Sequence, residues 1–405
     1  MLPVNLDKLT PEDIQGVIDS EIAESLTLEY KEQLPTGQSE EKREFLYDVA
    51  AMANAAGGDI LFGITDGRGS DKQCTGIADR FAGIKIGNEQ SEISRLSNLI
   101  RDGIAPRIVG VSMHTTTCAD GDVLVLRIPR SWNKPHMVTI GGVNKFYIRT
   151  ATGKAPMSVN EIGRAFSEQR ELREKIEQWK THRLELVSAG KGPAKLDGEV
   201  VMLFHVIPIS AFERGILRES WCISPEEKAQ LHVPFQGTGE RYNADGFLRF
   251  CDSEVPSLVR SYTQLFRSGI VEYADGRCSG ELFPSLGPMI FGLELEREMI
   301  NCYSDARNRF RRLGHSEGVY VGFSLLGIAG KWFYSTMIKR VAAHKTLCTV
   351  ESFISPEVYV DPNEPEERPY SRTLLPLVDT MWQLGGLEGT PFRSANGWEP
   401  FENWQ

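Results

Sequence analysis

No stretch of this chain approaches the roughly 20 consecutive apolar residues that a membrane-spanning helix needs, and the mean hydropathy is −0.27. The opening MLPVNLDKLTPEDIQG mixes charges early and lacks the basic-then-apolar layout of a secretion signal. Cysteine is sparse. The seven (Cys74, Cys118, Cys222, Cys251, Cys278, Cys302, Cys348) are scattered, odd in number and free of any C-x-x-C pair. That pattern predicts reduced, buried thiols in a cytoplasmic protein, and argues against both a disulfide framework and a zinc site. Familiar catalytic signatures are missing as well. There is no G-x-x-x-x-G-K-[ST] loop; the echo at Gly327–Lys331 has Trp332 where a magnesium-holding hydroxyl belongs. H-E-x-x-H, G-x-S-x-G and G-x-G-x-x-G do not occur, and the seven histidines show no ligand spacing. His205, inside an apolar run, reads as a hydrogen-bonded core residue. Basic excess is also lacking: 45 Lys and Arg against 55 Asp and Glu give −10. Bulk attraction to nucleic acid is thereby excluded, while a local basic patch is not.

What is present is an ordinary globular composition, 41% hydrophobic and 25% charged over 405 residues, enough for two or three domains. In LTLEYKEQL, Leu26, Leu28 and Tyr30 alternate with polar residues, which predicts a half-buried strand. A helix capped by Ser39 follows, stopped by Gly57-Gly58; a strand over 59–64 then ends in an Asp66-Gly67 turn. Another helix is expected over 91–104, and strands over 108–113, 123–128 and 143–149. Ser158-Val-Asn-Glu161 has the form of a capping box opening a long charged helix that runs to about Val187. Helices and strands interleave without a βαβ rhythm, so the fold class is α+β. The break at 188–193 divides the chain into a first domain, 1–190, and a second α+β domain, 195–405. In the latter, strands or extended stretches are expected over 199–209, 261–273 and 318–328, a polar loop over 237–246, a helix over 291–312 and an acidic, proline-rich loop over 361–370.

Two clusters carry chemistry. Glu24, Glu29 and Asp66 stand at the ends of neighbouring strands, and three converging carboxylates suit Mg2+ or Mn2+, which can activate a nucleophile against a phosphodiester. The offset of five between Glu24 and Glu29 requires a bend before the strand if they are to meet. The second cluster is the acid-free stretch Arg127–Lys154, with Arg127, Arg130, Lys134, Lys145 and Arg149 interleaved with Trp132, Phe146 and Tyr147. Cations neutralise phosphates and aromatic faces stack on unpaired bases, so this stretch is a candidate nucleic-acid surface. Lys31, two residues from Glu29, shares its face and can neutralise it or touch a phosphate. The same pieces also read as solvated surface acids, a turn-forming Asp66 and a hairpin whose aromatics face the core.

Glu24-Ser-Leu-Thr-Leu-Glu29-Tyr30-Lys31 resembles the opening motif of the Schlafen-type AlbA-like domain. Ala53-Asn54-Ala-Ala-Gly57-Gly58-Asp-Ile-Leu-Phe-Gly63-Ile-Thr-Asp66 resembles its glycine-rich block. Val125–Ser131 with Pro135, then Phe146–Arg149, then Met157-Ser158 follow in the same order, so the resemblance covers about residues 20–170. It implies a nucleic-acid-binding α+β fold. By analogy with eukaryotic Schlafen proteins it also implies a metal-dependent endoribonuclease that cuts structured RNA such as transfer RNA, with Glu24, Glu29 and Asp66 as metal ligands. Tyr30 replaces the usual Phe, and Thr65 stands where another acid is common. The alternative, drawn from single-domain microbial relatives, is a non-catalytic DNA-binding transcriptional regulator. A homodimer would supply the second half of a clamp, and no membrane association is expected.

Overall fold

The structure, a computed structural model, describes residues 2, 6–68, 74–118, 120–142, 144–151, 153–212, 223–234, 237, 239–281, 287–313, 318–335, 344–361, 374–394 and 397–398. The expected loop over 361–370 falls, past its first residue, outside the described residues, as does Cys222. Two compact units emerge, 1–173 with 314–317, and 174–313 with 318–405.

The first unit contains α1 (Pro11–Asp19), β1 (Leu28–Lys31), α2 (Ser39–Asn54), β2 (Gly57–Phe62), β3 (Ile64–Arg68), β4 (Cys74–Phe81) and α3 (Glu89–Gly103). After these come β5 (Ile104–Ala105), β6 (Ser112–Cys118), β7 (Gly121–Pro129), β8 (Met137–Val138), β9 (Lys145–Thr150) and β10 (Gly153–Pro156). Its main sheet has the order β1-β2-β7-β6, with β1 and β2 parallel and the other pairs antiparallel. Alternation along the strands explains its two covered faces. Ile60, Phe62, Leu124, Leu126 and Ile128 point to α2 and α3, meeting Phe45, Leu46, Val49, Met52, Leu96 and Ile100. Leu61, Val123 and Val125 point the other way, to Ile14 and Val17 of α1. A smaller sheet, β10-β9-β8-β5, and the β3–β4 hairpin complete the unit.

Three local expectations change. Ser39 is the first residue of α2 rather than its cap, which is Gln38 without a side-chain bond. The start is held instead by Glu41, whose carboxylate accepts from the Thr36 N–H at 2.7 Å and from its hydroxyl. Asp66 lies inside β3, not in a turn. β2 ends before it, at Gly63 (φ +98°), where a Cβ would stand 2.5 Å from the Asp122 carbonyl oxygen, and β3 then pairs with β4. The strand expected over 108–113 begins only at Ser112.

The expected capping box opens α4 (Val159–Ser188): Ser158 N–H donates to Glu161 Oε2 at 2.7 Å and Glu161 N–H to Ser158 Oγ at 3.3 Å. The division between units falls inside this helix, at Arg173/Glu174, ahead of the break at 188–193.

The second unit contains β11 (Val201–Pro208), α5 (Pro225–Gln230), β12 (Gly239–Tyr242), β13 (Gly246–Asp252), β14 (Val259–Phe266), β15 (Val271–Asp275), β16 (Ser279–Gly280), β17 (Met289–Phe291) and α6 (Gly292–Arg312). It continues with β18 (Val319–Leu326), β19 (Trp332–Ser335), β20 (His344–Leu347), β21 (Ser352–Ile354), β22 (Val358–Val360) and α7 (Leu375–Leu384). An antiparallel sheet runs β12-β13-β14-β15-β11-β18-β21, with β22 also beside β18. The extended stretch expected over 261–273 is in fact two antiparallel strands, and β12 occupies the expected polar loop. Residues of α6 and α7, among them Met299, Phe310, Met381 and Trp382, cover one face; Leu184 and Val187 of α4 pack on the other. No described helix is long and apolar enough to cross a membrane. The five cysteines whose side chains are described, Cys118, Cys251, Cys278, Cys302 and Cys348, are free and buried.

Candidate nucleic-acid interface

The glycine-rich block builds the scaffold by close backbone approach. A Cβ on Gly57 (φ +75°) would lie 2.4 Å from Arg130 N, and one on Gly58 would lie 2.4 Å from the Thr27 carbonyl oxygen. Side chains at either position would push β2 away from β7 or from the turn before β1. Asn54, the last residue of α2, is buried and fully used. Its amide donates to the His136 and Tyr147 carbonyls (3.0 and 2.8 Å), and its Oδ1 accepts from His136 N–H (2.7 Å). One side chain thus ties His136 and strand β9 to the end of α2, and the Ser131 N–H donates to the Ala53 carbonyl at 3.0 Å.

Around this scaffold runs an alternating chain of charges. Arg149 of β9 forms a close ion pair with Glu29 Oε2 and donates to the Ser25 and Leu28 carbonyls at 3.3 and 3.4 Å. Lys31 Nζ lies 2.7 Å from Glu29 Oε1 and 3.2 Å from Asp48 Oδ2. Lys154 Nζ lies 2.7 Å from both Asp48 Oδ1 and Glu44 Oε2. Burial opposes the charge on Lys31, yet Asp48 and Glu29 together hold its ammonium above the ordinary range. Beside this ladder Lys31, Glu44, Phe45 and Asp48 line a cavity of 320 Å3.

The predicted metal trio occupies one neighbourhood without forming one site. Glu24 precedes β1 in the bend the sequence required, with its N–H donating to Gly76 O at 2.6 Å and its Oε1 accepting from Tyr30 N–H at 3.0 Å. Burial, opposed by the Tyr30 bond and assisted by Glu29, raises its carboxyl. Burial likewise pushes the Tyr30 phenol up to about 12, with Glu24 contributing. Glu29 is buried and held by two cations. Asp66 is half-buried on β3, opposite Ala78 of β4. Oxygens of the three acids do not all come within 4.8 Å of one another. Among the described residues, the one trio of metal-type donors that does is His232, Glu298 and Cys302, in the second unit. A shared Mg2+ or Mn2+ therefore does not fit the arrangement seen: Glu29's charge is already neutralised, and a hard cation needs several oxygens at about 2.0–2.1 Å.

The basic stretch is also reorganised. Arg127 pairs with Asp59 through two bonds of 2.7 and 2.8 Å. Lys134 is buried, 2.8 Å from Glu168; Arg149 is buried on Glu29. Two cations of the stretch stay exposed. Arg130 lies 4.2 Å from the centre of the Trp132 ring, and Lys145 makes no ion pair with a described residue. Phe146 is half-buried, and Tyr147 packs on Tyr47 with ring centres 4.1 Å apart. The acids that pair with these cations, Asp48, Asp59 and Glu168, were invisible in the sequence because all lie far away along the chain.

Residues 24–158 match the family model Schlafen, AlbA_2. Compared with curated proteins, the chain finds no match. Among solved structures it is similar to the DIP2311 protein from Corynebacterium diphtheriae, at 17% identity over 39% of this chain and 28% of that one, with a TM-score of 0.26. It is also similar to the N-terminal domain of a RecG-related helicase protein from Nitrosomonas europaea, at 16% identity over 33% of this chain and 83% of that one, again with a TM-score of 0.26. The chain thus spans less than a third of the first of these. With the glycine-rich block, Asn54 and the Glu29–Arg149 pair in place, residues 24–158 are a Schlafen AlbA_2 domain.

Proposed function

We propose that this domain binds nucleic acid through its backbone and unpaired bases, without cutting it, and that structured RNA such as transfer RNA is the preferred ligand. One observation carries the reading: the acid-free stretch holds exposed Arg130 over Trp132 and exposed Lys145 on a frame fixed by Asn54. Exposed cations position phosphates, and an aromatic ring beside one of them offers a face to a base. Hydrolysis is left out because the carboxylates that would hold Mg2+ or Mn2+ are apart and one is ion-paired. A second copy of the chain would supply a facing surface, and light scattering with and without RNA measures it.

The test is fluorescence anisotropy of the full chain with a transfer RNA pool and with duplex DNA across a salt series. RNA binding is expected to weaken steeply with salt. Each of Arg130→Ala and Lys145→Ala should flatten the log–log slope by about 0.7–1. No binding at low salt, or variants indistinguishable from wild type, would refute the proposal; stronger binding to the duplex would favour the DNA-regulator alternative. Incubation of the RNA with Mn2+ decides the enzymatic question. Cleavage that disappears in Asp66→Asn, a substitution that disturbs none of the ion pairs above, would restore the endoribonuclease.

A further inference from the structure

Helix α6 turns Glu298 and Cys302, four residues apart, to the same side. His232, on the segment between α5 and β12, closes against them. Its Nε2 lies 2.5 Å from Glu298 Oε1, and Cys302 Sγ lies 3.6 Å from the same oxygen. One nitrogen, one oxygen and one sulfur all fall within 4.8 Å of each other. Neighbours hold the His232 backbone in place. The His232 backbone carbonyl accepts from Thr263 Oγ1 at 2.7 Å, and its backbone N–H faces the Asp305 carboxylate. Asp305 is anchored in turn by the Tyr273 hydroxyl at 2.6 Å. Cys302 is fully buried, whereas the His232 and Glu298 side chains keep 27% and 16% of their surface, which leaves an approach from solvent.

We propose that His232, Glu298 and Cys302 form a zinc site in the second unit, three protein donors holding Zn2+ with water as the fourth. The chemistry of the set selects the metal. Thiolate and imidazole are poor ligands for Mg2+ or Ca2+ and good ones for Zn2+, which takes four of them tetrahedrally. Charge points the same way, since a thiolate and a carboxylate cancel the two positive charges of the ion. Without metal, a single Glu298 oxygen faces both the imidazole and the thiol, so protons occupy the space a cation would fill. Binding expels the Cys302 proton to solvent, and the imidazole coordinates through Nε2 with its own proton on Nδ1. An open fourth position is the arrangement of zinc sites that bind a further ligand. No residue spacing announces this site, because His232 comes from a distant segment and the two helical donors form no recognised motif.

The experiment uses the full chain, loaded with Zn2+, freed of excess metal and assayed for bound zinc by mass spectrometry. One zinc per chain is expected in the wild type and in Cys251→Ser, a control on a different buried thiol. Affinity should fall at least tenfold in each of Cys302→Ser, His232→Gln and Glu298→Gln. Near-UV circular dichroism establishes that each variant is folded. If none is, X-ray absorption at the zinc edge of the wild type decides: one sulfur among nitrogen and oxygen neighbours supports the site, and any other shell overturns it. Wild type that retains no zinc, or folded site variants that hold it as tightly as wild type, also overturn it.

Discussion

Acidification should loosen the first unit through one histidine. His136 is fully buried, with Nδ1 2.7 Å from the Pro106 carbonyl oxygen, while Nε2 meets no partner. The geometry makes Nδ1–H the donor, so a second proton would sit on Nε2 facing no acceptor. Burial, opposed by the Pro106 bond, lowers this imidazole to about 4 from its ordinary 6.5. Below 6.5 the unfolded chain takes up a proton that the folded chain refuses until about 4. The stability tied to neutral His136 is therefore complete above pH 6.5 and disappears progressively as pH falls to 4. At 1.36 kcal/mol per pH unit the whole loss is about 3 kcal/mol. Because two units need not unfold together, a local readout is required. Hydrogen exchange of peptides spanning 130–138, labelled briefly at one fixed pH after equilibration in denaturant at pH 7, 6, 5 and 4, supplies it. His136→Asn keeps a donor near Pro106 but cannot titrate, so its pH dependence should be flatter by up to one proton. Parallel curves for the two proteins, or a wild type that tightens on acidification, would refute the reasoning.

Asn54→Ala removes three buried hydrogen bonds and orphans their backbone partners, and should destabilise the first unit by about 3–4 kcal/mol; denaturant titration followed by hydrogen exchange measures it. The same variant should weaken RNA binding, although Asn54 itself is buried. Gly57→Ala forces a Cβ against the Arg130 backbone at positive φ, and a loss of about 2 kcal/mol or more is expected in the same assay. In the second unit, Glu272 is fully buried between Arg183, His205 and Tyr262, at 2.8–3.0 Å. Burial opposes its charge, but bonds from His205 and Arg183 bring the carboxyl down to about 2. Its stabilisation is present above about pH 4.5 and fades as pH falls toward 2; Glu272→Gln should cost about 3–5 kcal/mol at pH 7 and erase that acid limb, read by exchange in β11 and β15.

Sequence periodicity was informative wherever a residue's fate depends on its near neighbours. The strand expected over 123–128 is β7, and the Ser158–Glu161 box placed the start of α4. His205 read as a core histidine from its apolar run, and it is one, bonded to Glu272 at 2.9 Å. Elements set by glycine geometry were legible only in part. Asp66-Gly67 looks like a turn but lies within β3, and the break after β2 falls at Gly63, whose positive φ is a property of the backbone. The ion pairs could not be read at all. Whether Arg149 faces solvent or Glu29 depends on β9 lying beside the turn before β1, a pairing separated by more than a hundred residues.

The same point bears on what the family motifs detect. Of the residues that carry the resemblance, Asn54, Gly57, Gly58 and Gly63 act through backbone bonds and close approach, and Glu29, Lys31 and Arg149 spend their charges on each other and on Asp48. A sequence can therefore satisfy the pattern because the fold demands it, whether or not a metal or a phosphate is ever bound. Asp66 and Lys145 are different, since neither makes an ion pair with a described residue. Substitutions at these two should change ligand behaviour while leaving the fold intact. Substitutions in the ladder should do the reverse, losing stability first and binding only as a consequence. Comparing the two groups, by unfolding and by RNA affinity in parallel, separates architecture from chemistry in this domain. If Arg149→Ala kept full stability yet abolished binding, the ladder would be a ligand site and the assignment of these charges to architecture would be wrong.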